Sequence, residues 1–244
     1  MGVCEYHYSP SLIPMNLKGW VKSSFVDFPG RIAVVVFTAG CNFRCPYCHN
    51  SDLVLRPQDI PDIDPDEVLA FLAHRSGLID GLVITGGEPT LQNDLIEFSR
   101  SIAELGIAVK LDTNGSRPGV IERLLAEGLL DYIAMDIKAT FARYSLATGV
   151  SSDVCKIQES IELIRSSGID YEFRTTVVPD IILPGDIEII AQGIAGAKRY
   201  VLQQFRQKST LAPLDGCTPY HEDELLRMAK AAEMWVKSVE VRGG

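Results

Sequence analysis

The chain has 244 residues, 46% of them hydrophobic and 23% charged, with a formal net charge of −9. That balance belongs to a folded globular protein with one sizeable core, and the acidic excess argues against a nucleic-acid surface, which needs clustered Lys and Arg. No apolar run approaches the ~18 residues that cross a bilayer, no basic-then-apolar leader opens the chain, and six cysteines then read as ligands or free thiols in a cytoplasmic protein rather than as disulfides.

Residues 1–14 read as a loop-like N-terminal extension with no assigned role, in which Cys4 and His7 make at most half a metal site. Residues 15–244 read as one domain, since no linker or repeat divides them. "MNLKGWVKSSFVDFPG" (15–30) is a strand-and-turn opening. Strands are then expected at 31–38, 81–85, 107–113, 131–137, 170–178 and 199–205, several almost continuously apolar, as strands buried on both faces of a parallel sheet are. Helical stretches alternate with them near 65–75, 93–105, 118–128, 153–167, 184–194 and 221–238. Asp64 before Pro65, and Asn93 before an amphipathic run ending at Gly106, are start and stop signals. Six β/α units are too few for the usual ~250-residue eightfold barrel. The expected fold is α/β, an open partial (β/α)6 barrel of parallel strands.

After the first of these strands comes "TAGCNFRCPYCHN" (38–50), which puts Cys41, Cys45 and Cys48 in C-x₃-C-x₂-C spacing. Loops at the carboxyl ends of parallel strands form the functional face of such folds. A structural zinc site wants four protein ligands, often as two C-x₂-C halves, and the second half is missing. A redox pair would use Cys45 and Cys48 and leave Cys41 unexplained. A cubane [4Fe–4S] cluster with three thiolates leaves one iron open to a small molecule, and the spacing favours this over zinc. Cys155 and Cys217 share no ligand spacing.

"CNFRCPYC" resembles the cluster-binding motif of the radical S-adenosylmethionine (SAM) enzymes. The resemblance implies that the open iron takes the amino and carboxylate groups of SAM, and that Tyr47 packs near the adenine. "TGGEP" (85–89) is an ordinary Gly-Gly-Pro turn by itself. One strand after the cysteine motif it resembles the family's GGE element, with Gly86, Gly87 and Glu88 on the methionyl ammonium. "DTNG" (112–115) and "MDIKA" (135–139) are likewise turns or solvated ion pairs when read alone. Together these stretches are similar to the activating enzymes of glycyl radical proteins, including the pyruvate formate-lyase activase. That similarity implies SAM contacts from Asp112, Asn114 and Asp136, a contact from Lys138 to SAM or to the substrate peptide, and a monovalent cation on Asp112, Thr113 and Asp136. Arg174 in "FRTTVVP" would need an anionic partner, either the SAM carboxylate or a structural ion pair. "LQQFR" departs from the pyruvate formate-lyase activase, which has a cofactor-contacting histidine near this place; here Gln204 and Arg206 occupy the stretch, and that histidine's role does not carry over.

The opening through His49 and Asn50 resembles the activating proteins of anaerobic ribonucleoside-triphosphate reductase. The implied reaction is reductive cleavage of SAM and hydrogen abstraction from a glycine of that partner. Pyruvate formate-lyase, another glycyl radical enzyme or a small molecule are the alternative substrates, and flavodoxin or ferredoxin the implied electron donor. Asp27, Phe28 and Pro29 either line the mouth through which a partner loop enters or form a plain turn. His49 is read as bonding either a cluster sulfide or the loop backbone, with the structural role favoured.

Overall fold

The computed structural model describes residues 15–207, 209–214 and 216–243; the expectations for residues 1–14, including Cys4 and His7, lie outside them. Eight strands form one sheet in chain order: β1 (Leu17–Ser24), β2 (Ala33–Thr38), β3 (Gly81–Gly86), β4 (Ala108–Thr113), β5 (Tyr132–Asp136), β6 (Asp170–Val177), β7 (Tyr200–Gln204) and β8 (Val239–Arg242). β1 runs antiparallel to β2, and every later pair is parallel. Among the described residues no ladder joins β8 back to β1, so the barrel stays open. The six expected β/α strands are β2 to β7, and β1 and β8 extend the sheet on either side. The sequence reading ends its last helix near 238 and assigns nothing to β8; a four-residue edge strand carries too short an alternation to stand out.

Helices α1 (Ser51–Leu55), α2 (Pro65–His74), α3 (Leu95–Glu104), α4 (Pro118–Ala126), α5 (Tyr144–Thr148), α6 (Val154–Ser166), α7 (Pro184–Gly193) and α8 (Glu222–Ala232) make the connections. The α2 start is as the sequence spells it: the Asp64 side chain accepts from the Asp66 N–H at 2.9 Å, and Pro65 occupies the first turn, where no donor is needed. The short α1 and α5 were missed, because five residues cannot display a helical period.

Alternation along each strand sorts the side chains. Val109, Leu111, Ile133, Met135 and Phe173 point outward into one large core with the helices. Ala33, Val35, Val83, Ala108, Tyr132 and Ala134 point inward and close the lower barrel around Phe28. Phe28 therefore plugs the barrel and does not line a mouth; a Cβ on Gly81 would sit 2.7 Å from its ring. Above this plug the inward positions turn polar and charged.

Candidate active site

The cysteine loop leaves β2 at Gly40, whose φ of +77° is a left-handed backbone that favours glycine. Gly40 then donates its N–H to Leu53 O (2.8 Å), and its carbonyl accepts from the Glu88 N–H (2.8 Å). Gly87 packs so closely here that a Cβ would lie 1.8 Å from Gly40 O. The glycines of "TGGEP" thus allow the β3 turn to press against the cysteine loop. The Arg44 guanidinium holds the carbonyls of Cys41 (2.6 Å) and Phe43 (2.8 Å), and the Arg44 N–H reaches Thr148 O at the end of α5 (2.7 Å).

The far side of the loop is braced by the chain after β7. Leu211 N–H donates to Cys48 O (3.0 Å) and Ala212 N–H to Pro46 O (2.9 Å). His49 stacks on Phe205 and pairs through Nε2 with Arg206 O (3.0 Å), a structural role as expected. The Asn50 amide donates to Gly86 O (3.2 Å). Nothing in the sequence of 205–212 announces this bracing, because apart from the Phe205 ring it uses backbone groups of that segment.

A cleft of about 360 Å³ opens at the carboxyl ends of the strands. Cys41, Cys45, Cys48, Tyr47, Gly86, Gly87, Glu88, Asp112, Thr113, Asn114, Asp136, Lys138 and Arg174 all line it, with Asp27 and Gln203 added from the open side. Gln204 instead bonds Tyr220 O (3.0 Å), and Cys155 and Cys217 lie elsewhere. Among the described residues no three His, Cys, Asp or Glu side chains converge where one metal ion would sit. The three thiols line one cleft, where a cluster would give each thiolate its own iron. Burial pushes the Cys41 thiol up to about 11 and raises Cys45 as well, so metal ligation must displace protons here. The Asn114 amide lies 3.9 Å from Cys41 Sγ, and the Phe43 N–H 3.3 Å from the same sulfur. Among the described residues the buried Tyr47 hydroxyl, which lines the cleft, has no hydrogen-bond partner, and a polar ligand there would supply one.

Glu88 is buried and ties two strand ends together. Its carboxylate accepts from the Thr90 N–H (3.1 Å) and hydroxyl, from Thr113 Oγ1 (2.7 Å) and from the Asn114 N–H (2.7 Å). Burial raises this carboxyl above its ordinary value, and those hydrogen bonds only partly offset it.

One row of charges crosses the upper barrel: Lys110, Asp112, Arg174, Asp136 and Lys138. Asp112 pairs with Lys110 through Oδ1 and with Arg174 through Oδ2 (3.1 Å). Asp136 pairs with Arg174 through Oδ1 (2.8 Å) and with Lys138 through Oδ2 (2.9 Å). Register sets this up, since Asp136 and Arg174 are partners on β5 and β6. Burial opposes charge on both carboxyls, but the cations outweigh it and hold both below the ordinary range. Arg174 thus has two protein carboxylates as partners. The expected monovalent cation meets a donor set already in use: all four carboxylate oxygens carry a cationic partner, and the Thr113 hydroxyl donates to Glu88 while accepting from the Gly115 N–H (3.1 Å). These residues do not fit a further cation. Lys110 was missed as a site residue, although the two-residue offset in "KLD" puts it on the face of Asp112.

An open parallel barrel that gathers three thiols and a charged row at its strand ends is the scaffold of a cofactor-dependent enzyme. The sequence profile of the Radical SAM superfamily matches residues 35–188. Over 235 residues the chain is 36% identical to a Methanocaldococcus jannaschii protein provisionally named a glycyl-radical enzyme activating enzyme, covering 93% of this chain and 95% of that one. It is 30% identical over 162 residues to the pyruvate formate-lyase-activating enzyme of Clostridium pasteurianum, covering 64% and 66%. The fold is similar to that of Streptococcus suis SuiB bound to S-adenosylmethionine, with a TM-score of 0.62 and 14% identity over 84% of this chain and 48% of that one. The chain belongs to the radical SAM superfamily and is an enzyme of that oxidoreductase kind, for which the family implies a [4Fe–4S] cluster and SAM.

Proposed function

We propose that this protein is an activating enzyme for a glycyl radical enzyme, with anaerobic ribonucleoside-triphosphate reductase as its partner. The observation that carries the reading is the cleft itself, where three thiols, the GGE turn and the charged row meet beside an unclosed barrel seam. The names of the M. jannaschii and C. pasteurianum relatives support the activase class, and the resemblance of residues 15–50 supports the particular partner. Cys41, Cys45 and Cys48 would hold the cluster. Tyr47, Gly86, Gly87, Glu88, Asn114 and Lys138 would shape the SAM site, with Asp112, Asp136 and Arg174 as its charged floor. When bound, the cluster supplies the electron that cleaves SAM to methionine and a 5′-deoxyadenosyl radical, which takes a hydrogen from a backbone glycine.

The chain's own contribution is to orient and to exclude water. Tyr47 and Phe43 wall the cluster side, and Gly87 lets backbone come close. The seam between β1 and β8, with Asp27 at the cleft edge, gives a peptide loop a route inward. Residues 15–244 are taken as one functional unit. Flavodoxin or ferredoxin would deliver the electron. The free cysteines among the described residues fit a reducing cytoplasm.

The test is anaerobic. The cluster is reconstituted, reductant and SAM are added, and 5′-deoxyadenosine is quantified with and without candidate partners. Product that vanishes in Cys45→Ala, with that variant still folded by circular dichroism, is the expected result. A glycyl radical signal on the reductase but not on pyruvate formate-lyase supports the stated partner, and the reverse reassigns it. A Cys45→Ala protein with full iron and sulfide would defeat the three-thiolate assignment.

A further inference from the structure

We propose that the Lys110 ammonium is a built-in replacement for a monovalent metal cation, so that this enzyme holds SAM without potassium or sodium. The inference rests on the reading of the cleft as the SAM site, and its physical basis is the pairing in the upper barrel. Lys110 is 2% exposed and enters from β4, one inward position before Asp112. Its Nζ pairs with Asp112 Oδ1 and lies 5.9 Å from the centre of the Tyr132 ring. The ammonium is thus enclosed on the barrel side of the carboxylate that a bound cation would need.

Charge balance points the same way. The row alternates cation and anion, with a lysine at each end and Arg174 bridging the middle. Three positive groups face two negative ones, and each carboxylate oxygen already accepts from a cation. Neighbouring carboxylates are also committed: Glu172 accepts both Nη atoms of Arg242 at 2.8 Å, and Glu88 is filled by Thr90, Thr113 and Asn114. A metal cation added here would meet like charges and no spare anion. The surplus positive charge suits an anionic ligand group at the same place. A side-chain cation has one advantage over an ion from solution: its position is fixed by the fold and does not vary with salt.

The experiment compares tetramethylammonium chloride, too large for the site, with potassium or sodium chloride at equal ionic strength. Melting temperature is read on the protein without SAM, and SAM affinity on the cluster-loaded protein. For the wild type, the melting temperature should differ by under about 1 °C between salts, since no site is there to be filled. Its SAM dissociation constant should change less than about twofold. Lys110→Met keeps the length and removes the charge, leaving Asp112 Oδ1 unpaired. That variant should melt lower in tetramethylammonium and recover by roughly 5 °C in potassium, as the ion enters the vacated place. Lys110→Arg should remain indifferent to salt. A wild type that gains several degrees, or about fivefold in SAM affinity, on adding potassium overturns the proposal. A Lys110→Met protein as salt-indifferent as the wild type also overturns it. If Lys110→Met does not fold in either salt, the wild-type arms still decide. Because the melting arm contains no SAM, failure to bind SAM would count against the cofactor reading and leave the cation result standing.

Discussion

The two faces of β4, β5 and β6 make the most instructive contrast in the molecule. Outward from the barrel, Val109, Leu111, Ile133, Met135 and Phe173 are fully buried against the helices. Inward, one residue away each time, stand Lys110, Asp112, Asp136 and Arg174. Two environments with opposite chemistry are thus separated by the thickness of one strand. The apolar face fixes the barrel through area removed from water, which requires no particular partner. The charged face works only through pairing, because an unpartnered buried charge costs far more than a lost methyl group.

That contrast can be broken deliberately. Arg174→Met should have the largest effect, since it leaves Asp112 and Asp136 buried with one cation each. Roughly 3–5 kcal/mol of stability should be lost by denaturant unfolding, together with SAM binding. Retention of both would mean the row is solvated and not structural. Leu111→Ala acts on the opposite face of the same strand. It should cost about 2–5 kcal/mol by creating a cavity, while leaving SAM affinity at permissive temperature unchanged. Loss of SAM affinity in step with stability would show that the two faces are not separable.

Acid sharpens the same comparison with a smaller effect. Asp112 and Asp136 are held below their ordinary values, so they contribute stability above the unfolded carboxyl value of about 4 and lose it as pH falls below that. Glu88, raised by burial, has the opposite sign and loses its contribution as pH rises through its folded value. Wild-type stability should therefore fall steadily below about pH 4, and Arg174→Met should flatten that fall by removing the shared guanidinium. Parallel profiles for the two proteins would remove Arg174 as the cause.

Much of this was readable in advance. The alternation of apolar strands and amphipathic helices gave the order of the six units, and Asp64-Pro65 marked a helix start to the residue. Cysteine spacing and the Gly-Gly turn mark Cys41, Cys45, Cys48, Gly86 and Gly87, the family resemblance adds Tyr47, Glu88 and the strand-end polar residues, and Asp27 stands among the mouth candidates, while Thr176 and Gln203 carry no signal. These signals are legible because they are local: period, spacing and turn chemistry depend on residues a few positions apart. Phe28 was harder, since a phenylalanine in a turn can face out or in, and only the packing at Gly81 decides.

By itself, the sequence determined the fold class, the face of the sheet that carries chemistry and the three thiols. Only the tertiary structure decided who pairs with whom. Asp136 meets Arg174 across 38 residues and Asp112 meets it across 62, and the bracing of the cysteine loop comes from residues more than 150 positions later. Such contacts leave no spacing in the chain, because they are set by strand register and barrel curvature. The pairing at Asp112 shows both kinds of contact: Lys110 lies two residues earlier on the same strand and is readable from the chain, whereas Arg174 reaches the other carboxylate oxygen only through the order and register of β4, β5 and β6.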